Sequence, residues 1–287
     1  IAGVTELSHD SIGIFAELDY LINDKTKITL GARWTEETKD VTFNAIGSCE
    51  KDFSSCSGPS SGLMRSGTYD DTTPKIAVTH SLNEDVNIYA SYTQGFRSGS
   101  FDARARTIDS FLNSQPGPEE VTSIELGLKS TFNDGKVLLN IALFQADYDD
   151  IQKLALEECD VNIDTCPSGR IQRLINAAKA TIEGIEIETK LSVTDQLSIE
   201  GSLGYTDAGF DEFLGFDADG VRGYDPVTDP IAAAALKFER VPELTYNIMA
   251  NYFQPLANGA ELDFRISYSY TDDFYNNALM TEAIKTD

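Results

Sequence analysis

The sequence predicts an all-β protein: about ten strands of a transmembrane, antiparallel, up-and-down β-barrel. Three observations predict this fold class. Apolar and polar residues alternate with a period of two in nearly every segment between turn signals. These segments are near or above the roughly 9 to 11 residues that a tilted strand needs to cross a bilayer. Finally, the connections between them alternate strictly between short turns and long polar loops.

The alternation is clearest in six segments, at residues 28–35, 86–93, 123–129, 185–193, 197–206 and 261–271. In the last of these, one face is apolar and the other polar. The apolar face carries Leu262, Phe264, Ile266, Tyr268 and Tyr270, and the polar face carries Asp263, Arg265, Ser267 and Ser269. Each segment is therefore predicted to be a strand that separates two chemically different environments.

The connections fall into two classes. Short connections rich in Asn, Asp and Gly lie at residues 23–25, 83–85, 133–135, 194–196 and 255–259. Long polar connections are predicted at about 39–70, 98–118, 157–169 and 207–239. A water-soluble sandwich has strands of roughly 5 to 6 residues and short loops at both ends, so it fits poorly. Outer-membrane barrels have short periplasmic turns and long extracellular loops.

The hydrocarbon interior of the membrane determines which face of each strand points to lipid and which to the lumen. Every backbone N–H and C=O must be paired inside a bilayer, so a membrane sheet has to close into a barrel. The apolar face is expected to meet lipid and the charged face to line the lumen. Aromatic residues near the ends of the apolar rows would form the interfacial girdles: Tyr20, Trp34, Tyr92, Tyr205, Tyr252 and Tyr268. The alternative is that these aromatic residues fill a soluble core.

Composition excludes two other classes of protein. The net charge of -25 makes nucleic acid an unsuitable partner, because binding a phosphate backbone needs basic patches. The longest apolar run covers residues 231–236 and is far shorter than the roughly 20 apolar residues of a spanning helix. The chain opens at Ile1 without a secretory-signal pattern, so we expect its N-terminus to be internal to a longer protein.

The four cysteines form two local pairs, Cys49 with Cys56 and Cys159 with Cys166. In each pair the same number of residues separates the cysteines, and no histidine lies between them. This spacing favours two disulfides made in an oxidising compartment over a zinc site, whose ligands are usually closer in sequence. Both pairs lie in predicted long loops, on the side where disulfides persist.

Five stretches in order resemble the barrel of TonB-dependent receptors. Residues 87–101, NIYASYTQGFRSGSF, resemble the family's YxSYxxGFRxGxF strand and loop opening, and residues 118–129, PEEVTSIELGLK, resemble its PExxxxxExGxK strand. The remaining three are LNIALFQADYDDIQ at 139–152, NAAKATIEGIEIE at 176–188 and RVPELTY at 240–246. One such match would be weak evidence, but five in the family's order are specific.

The resemblance implies a barrel of about 22 strands whose lumen is closed by an N-terminal plug domain. Residues 1–287 would be part of that one barrel domain, about strands eleven to twenty, with the plug and the last strands outside this sequence. The implied function is uptake of a scarce nutrient such as a ferric siderophore, cobalamin or a saccharide. A passive porin or a surface adhesin is the alternative.

The same resemblance implies the location and the partners of the protein. The barrel would lie in the outer membrane of a Gram-negative bacterium, in contact with the lipid bilayer and lipopolysaccharide, with its long loops extracellular. Its partners would be the nutrient ligand and, through a missing N-terminal part, the TonB complex of the inner membrane. No resident cofactor is expected.

One loop is a candidate ligand-binding site. It combines basic and aromatic residues in an otherwise acidic protein: Arg97, Phe101, Arg104, Arg106 and Phe111. Arginine forks suit carboxylate, catecholate or phosphate groups of an anionic ligand. The alternatives are that Arg97 pairs with lumenal carboxylates as structural support, and that Arg104 and Arg106 are solvated.

Metal binding and catalysis have little support. Asp217, Asp219 and Asp225 are a weak calcium candidate, because the loop departs from the EF-hand pattern and a solvated acidic loop fits better. Only His9 and His80 are present, and the sequence contains no Gly-x-Ser-x-Gly or His-Glu-x-x-His motif. The protein is therefore predicted not to be an enzyme.

Overall fold

A computed structural model describes residues 3–45, 62–103, 105, 108–158, 170–213, 236–276 and 285–286. Ten antiparallel strands form one sheet, and their spatial order is their order along the chain. The predicted up-and-down arrangement is confirmed. The ten strands are β1 (Gly3–Asn23), β2 (Thr26–Ala45), β3 (Leu63–Ser81), β4 (Val86–Arg97), β5 (Glu119–Phe132), β6 (Val137–Glu158), β7 (Arg170–Ser192), β8 (Leu197–Phe213), β9 (Leu244–Pro255) and β10 (Glu261–Thr271).

Little else in the described residues is regular structure. A single helical turn, α1 (Ile108–Asn113), lies between β4 and β5. Two short strands, β11 (Phe274–Tyr275) and β12 (Lys285–Thr286), pair with each other apart from the main sheet. None of the helical residues described forms a helix long and apolar enough to cross a membrane.

The predicted short turns are confirmed, since each joins two strands that pair with each other. The turn between β5 and β6 shows why its sequence suits it. Asn133 and Asp134 have φ values of 55° and 53°, and Gly135 has 84°. Asn, Asp and Gly are the residues that tolerate this left-handed conformation best, so the sequence allows a tight reversal here.

The predicted boundaries of two long loops were wrong. β2 continues to Ala45 and β3 starts at Leu63, inside the predicted loop 39–70, and β8 continues to Phe213, inside the predicted loop 207–239. In the extension of β2 the face that continues the apolar row is polar, and the apolar residues Val41 and Phe43 lie on the opposite face, so the extension lacks the apolar outer row of a membrane strand. The other two long connections are confirmed, because β4 ends at Arg97, β5 begins at Glu119, β6 ends at Glu158 and β7 begins at Arg170.

One face of the sheet is a continuous apolar surface. A single cross-strand row, in register from β1 to β8, consists of Tyr20, Ile28, Val78, Ala90, Leu126, Leu143, Ile185 and Tyr205. Many residues of this face are strongly exposed, such as Tyr20 at 62% and Ile266 at 74%. A soluble core would bury them, whereas lipid-facing residues of a barrel are left uncovered by protein.

The same face becomes charged above the apolar band. On β2 the outward positions Ile28, Leu30, Ala32 and Trp34 are followed by Glu36. A carboxylate does not face hydrocarbon without a partner, so the membrane-spanning part of β2 ends near Trp34. Residues of β2 from Glu36 onward lie above the membrane, at the end of the sheet where the predicted extracellular loops are found.

The opposite face is polar and carries ion pairs. In the next cross-strand row, Asp19 faces Thr29 and Ser91 faces Glu125. Lys75 Nζ lies 2.8 Å from Glu17 Oε2, and Lys27 Nζ lies 3.1 Å from Asp19 Oδ2. This composition is expected of the lumen side of a barrel wall.

The sheet splits above the membrane. β3 pairs with β4 only from Lys75 to Ser81, whereas its pairing with β2 continues up to Leu63 opposite Phe43. Likewise β5 and β6 stop pairing at Glu120 opposite Asp149, whereas β6 and β7 remain paired up to Glu158 opposite Arg170. The β2–β3 and β6–β7 hairpins therefore project separately, with β4 and β5 ending between them.

Candidate ligand-binding rim

Residues 98–118, here called the bridging segment, follow β4 and lie between the two projecting hairpins. The structure describes residues 98–103, 105 and 108–118 of it. Several of its groups are buried, including Ser98, Phe101, Phe111 and Ser114. Since loops are usually exposed, this burial shows that the segment packs as part of the wall.

Aromatic packing holds the bridging segment to the β2–β3 hairpin. The Phe111 ring stacks on Phe43 of β2 with 5.1 Å between ring centroids. Phe101 joins the same cluster together with Val41 and Ala105. Phe101 is 5% exposed and Phe111 is fully buried, so both predicted ligand-binding aromatics pack against protein in this structure.

Arg65 of β3 adds a cation to this cluster. Its guanidinium lies 5.1 Å from the centroid of the Phe101 ring, and its Nη1 donates a hydrogen bond of 2.8 Å to the Phe111 carbonyl. Nη2 donates another to the Gln115 side chain. Burial lowers the pKa of Arg65, but from so high an ordinary value that the group stays charged. One arginine thus contacts both aromatic anchors.

A charged network ties the start of the segment to β2. Lys39 Nζ donates to Ser98 Oγ at 2.5 Å and to the Gly99 carbonyl at 2.9 Å. The Ser98 hydroxyl in turn donates to the Glu37 carboxylate, and His9 Nε2 lies 3.1 Å from Glu37 Oε2. The hydrogen bond from Ser98 is the main reason that the pKa of Glu37 is lowered; Lys39 and His9 act in the same direction and desolvation opposes them.

The β6–β7 hairpin holds the same segment through side-chain amides. Gln152 Nε2 donates to the carbonyls of Ser98 at 2.9 Å and Gly117 at 3.1 Å, and Gln152 Oε1 accepts from Ser100 Oγ at 3.0 Å. One buried amide therefore binds both ends of the bridging segment. It supplies hydrogen bonds to backbone groups that have no neighbouring strand to pair with.

Asn176 of β7 makes a second set of amide contacts. Its Nδ2 donates to the carbonyls of Asp150 at 2.6 Å, Gly117 at 3.2 Å and Pro118 at 3.3 Å, and its Oδ1 accepts from the Gly117 N–H at 2.7 Å. Asp150 lies at a bulge in β6 and has a positive φ of 56°. Asn176 thus fixes both the end of the segment and the bulge.

Arg97 lies at the base of the bridging segment. It pairs in register with Glu119, and its Nη1 lies 3.5 Å from Glu119 Oε2. Glu119 is held in turn by the Gln152 N–H at 2.9 Å. The Arg97 side chain is 65% exposed on the polar side of the sheet. The ion pair predicted as the alternative role is present, and most of the side chain remains exposed on the lumen side.

A second buried cluster lies near the same edge of the sheet, between the last part of β6, the first part of β7 and the last part of β8. Phe210 stacks on Phe238 with 4.5 Å between centroids and meets Phe213 edge to face. Lys153 Nζ lies 5.7 Å from the Phe210 centroid and 3.3 Å from Glu239 Oε2. The chain just before β9 is therefore folded back onto the wall by aromatic packing and a cation, as the bridging segment is.

The family profile described as TonB dependent receptor-like, beta-barrel, matches residues 3–286. This chain belongs to the TonB-dependent receptor family. The predicted location is confirmed with it, because TonB-dependent receptors are β-barrels of the outer membrane of Gram-negative bacteria. The predicted resemblance to the barrel portion of these receptors is confirmed as well.

Solved TonB-dependent receptors share the fold at low identity. The ferric yersiniabactin uptake receptor FyuA from Yersinia pestis is 14% identical, with a TM-score of 0.68 over 99% of this chain and 37% of that one. The siderophore receptor PiuA from Acinetobacter baumannii is 18% identical, with a TM-score of 0.71 over 96% and 35%. The ferric-catecholate import receptor Fiu from E. coli K12 is 17% identical, with a TM-score of 0.62 over 94% and 35%. This chain therefore spans about a third of the length of each.

The receptor motifs recognised in the sequence contain several residues that hold the rim together. Asn176 opens the fourth stretch, Gln152 closes the third, and Glu119 stands at the start of the second. Sequence reasoning matched these residues to the family without finding their role. Arg65, Lys39 and Glu37 were missed, because they lie where a loop was predicted or next to it and no short-range pattern marks them.

Several predicted site residues of the receptor lie outside the described residues. They are Cys49, Cys56, Arg104, Arg106, Cys159, Cys166, Asp217, Asp219 and Asp225. The two disulfides, the arginine contacts and the weak calcium site therefore stay predictions. Within the described part of the chain, no group of three or more His, Cys, Asp or Glu side chains is arranged to hold a metal ion.

Proposed function

We propose that this chain forms part of the wall of an outer-membrane receptor that imports a scarce nutrient, powered through the TonB complex of the inner membrane. The observation that carries the proposal is the family match over residues 3–286. The sheet agrees with it: one face is apolar and exposed, and the other is polar. In this proposal residues 1–287 belong to one barrel domain and supply later-middle strands of a barrel of about 22.

The end strands support a larger barrel. Within the described residues, β1 pairs only with β2, and β10 pairs only with β9. Each therefore has one edge of backbone N–H and C=O groups without a strand partner. In a bilayer such edges are too costly to leave open, so the proposal requires that further strands of the receptor cover them.

A ferric siderophore is the first ligand class to test. The three solved neighbours include receptors described for ferric yersiniabactin, a siderophore and ferric catecholate. Among the described residues of the candidate loop, Arg97 is best placed to contact an anionic chelate, because its side chain is largely exposed on the lumen side. Its partner Glu119 fixes the side chain, which lowers the entropy cost of binding. Cobalamin and saccharides are the other nutrient classes in the proposal.

Uptake by cells that carry the full-length receptor tests the function. Cells supplied with a panel of radiolabelled ferric siderophores, cobalamin and oligosaccharides should accumulate one of them, and deletion of TonB should abolish the uptake. Liposomes containing the receptor should not swell in small sugars, because a plugged barrel is closed to them. Rapid swelling would favour a passive porin, and binding to host cells without uptake would favour an adhesin.

The role of Arg97 needs a matched control. Arg97→Ala is expected to weaken binding of the imported ligand by about tenfold or more, since a charge-assisted bidentate contact is lost. Arg265→Ala removes another arginine of the polar face, one that bonds Asn251 on β9, and should leave affinity within about twofold. Equal affinities for the wild type and Arg97→Ala would show that Arg97 does not contact the ligand.

A further inference from the structure

The bridging segment contacts two hairpins that are not neighbours in the sheet above the membrane. β3 leaves β4 above Lys75, and β6 leaves β5 above Asp149, so strand pairing does not connect the projecting hairpins. Nevertheless, both touch the same stretch of chain. Among the described residues, the connection between them at this height passes through residues 98–118.

The two sides of the segment are held by different chemistry. On the β2–β3 side the contacts are aromatic and cationic, with Phe43 stacked on Phe111 and Arg65 over Phe101. On the β6–β7 side they are amide hydrogen bonds from Gln152 and Asn176. Loss of one set does not directly remove the other, so each side can be changed separately.

The amide contacts also tie the two ends of the segment together. Gln152 Nε2 binds the carbonyls of both Ser98 and Gly117, and the Ser100 N–H donates to the Pro116 carbonyl at 3.3 Å. Gln152 is only 7% exposed. To swing outward, the segment would have to break these bonds and expose Phe101 and Phe111, so the contacts oppose hinge motion.

We propose that the bridging segment joins the β2–β3 and β6–β7 hairpins into one rigid body above the membrane, so that loosening either hairpin loosens the other. The segment is in this view a fixed part of the barrel wall and does not act as a lid. The coupling is independent of what the receptor imports. Thermodynamic coupling is reciprocal, so the effect must run in both directions.

Hydrogen exchange of the full-length receptor in detergent tests the coupling in both directions. Asn176→Leu removes the Asn176 amide contacts on the β6–β7 side and should speed exchange about tenfold in residues 37–45 and 63–69 of the other hairpin. Arg65→Met removes the cation that lies over Phe101 and bonds the Phe111 carbonyl on the β2–β3 side. It should speed exchange by a similar factor in residues 150–158 and 170–178.

Asn140→Leu is the matched control. Asn140 faces the same polar side from β6, and within the described part of the chain its side chain makes one long hydrogen bond, 3.4 Å to Glu188. This variant should leave exchange in both hairpins within about twofold of the wild type. If Asn176→Leu prevents folding, Gln152→Met makes the same test, because methionine keeps the shape of glutamine without its amide. The proposal would be overturned if faster exchange were confined to the hairpin that carries the substitution. It would also be overturned if residues 108–118 of the wild type exchanged as fast as an open loop.

Discussion

The Tyr89 ring of β4 lies directly over Gly127 of β5, its partner in register. A Cβ at Gly127 would be 2.2 Å from Tyr89 Cε1. The Tyr89 hydroxyl donates a hydrogen bond of 2.5 Å to Glu125, and Lys129 Nζ lies 5.5 Å from the ring centroid. Glu125, Gly127 and Lys129 are the Glu, Gly and Lys of the receptor motif on β5. Their spacing of two places all three on the lumen side, where together they hold one tyrosine.

Gly127→Ala is therefore expected to destabilise the barrel by about 1 to 3 kcal/mol, since a methyl group would displace the Tyr89 ring and its bond to Glu125. The measurement is urea unfolding of the full-length receptor in lipid vesicles. Gly209→Ala on β8 is the control, because a Cβ there has no atom within 4 Å. It should be neutral or slightly stabilising. Equal effects of the two substitutions would contradict the packing argument.

Asp150 is expected to tolerate glycine better than a branched residue. Its φ of 56° is costly for residues with a Cβ, although Asp and Asn bear it better than most. Asp150→Gly should be neutral or stabilising by up to about 1 kcal/mol, and Asp150→Val should be destabilising by about 1 to 3 kcal/mol. Both values come from the same urea titration.

The neighbouring Asp149 provides the comparison for Asp150→Val. Asp149 does not have a positive φ, and it contributes only an exposed ion pair with Lys179. Asp149→Val should therefore cost no more than about 1 kcal/mol. If valine is tolerated equally well at both positions, backbone conformation is not what selects Asp150.

Acid should release the start of the bridging segment through Glu37. The pKa of Glu37 is lower in the folded protein than its ordinary value of 4.5, mainly because Ser98 donates to the carboxylate. A carboxyl group whose folded pKa is depressed stabilises the fold above its unfolded pKa, and loses that contribution as the pH falls through the folded pKa. Thermal unfolding of wild type and Glu37→Gln should therefore differ at pH 7, and the difference should shrink as the pH falls below 4.5 and disappear below the folded pKa of Glu37.

Glu36→Gln controls for the general effect of removing a charge near Glu37. Glu36 lies next to Glu37 on β2 but points to the outer face. Its substitution should change the midpoint of thermal unfolding little at either pH. A difference between wild type and Glu37→Gln that persisted unchanged at low pH would show that the charged form of Glu37 is not what holds Ser98.

The assignment of the two faces can be tested at two adjacent residues of β10. Ile266 is 74% exposed on the apolar face, near the middle of the strand, and Ser267 points to the polar face. Ile266→Arg should destabilise the folded receptor in vesicles by about 2 to 4 kcal/mol, the cost of an arginine near the bilayer midplane. Ser267→Arg should cost less than about 1 kcal/mol. The reverse order would mean that the faces are assigned the wrong way round.

The sequence predicted the strands well where lipid lies on one side and the lumen on the other, and less well above the membrane. Between Ile28 and Trp34 lipid lies on one side and the lumen on the other, so alternation is strong and the strand was found. From Glu36 to Lys39 both faces are polar, and the alternation that follows at Val41 and Phe43, which pack against the bridging segment, is short, so the strand from residue 39 onward was mistaken for a loop. A long period-two alternation is therefore clearest in the part of a strand that crosses the bilayer.

The candidate site shows a similar division. Arg97 was found because a motif and a basic cluster both mark it, and the structure shows the ion pair with Glu119 that was weighed as the alternative. Phe101 and Phe111 were proposed for the ligand from their chemistry, whereas the structure buries them against β2 and β3. Aromatic residues suit both roles, so residue type alone does not distinguish them.

The sequence by itself determined the number, order and facing of the strands, because a bilayer imposes a local, repeating pattern on any chain that crosses it. Only the tertiary structure decided that β3 parts from β4, that residues 98–118 fill the gap, and that Gln152 and Asn176 hold them there. Those contacts join residues 35 to 59 positions apart. Their partners are selected by three-dimensional proximity, which no local period in the sequence records.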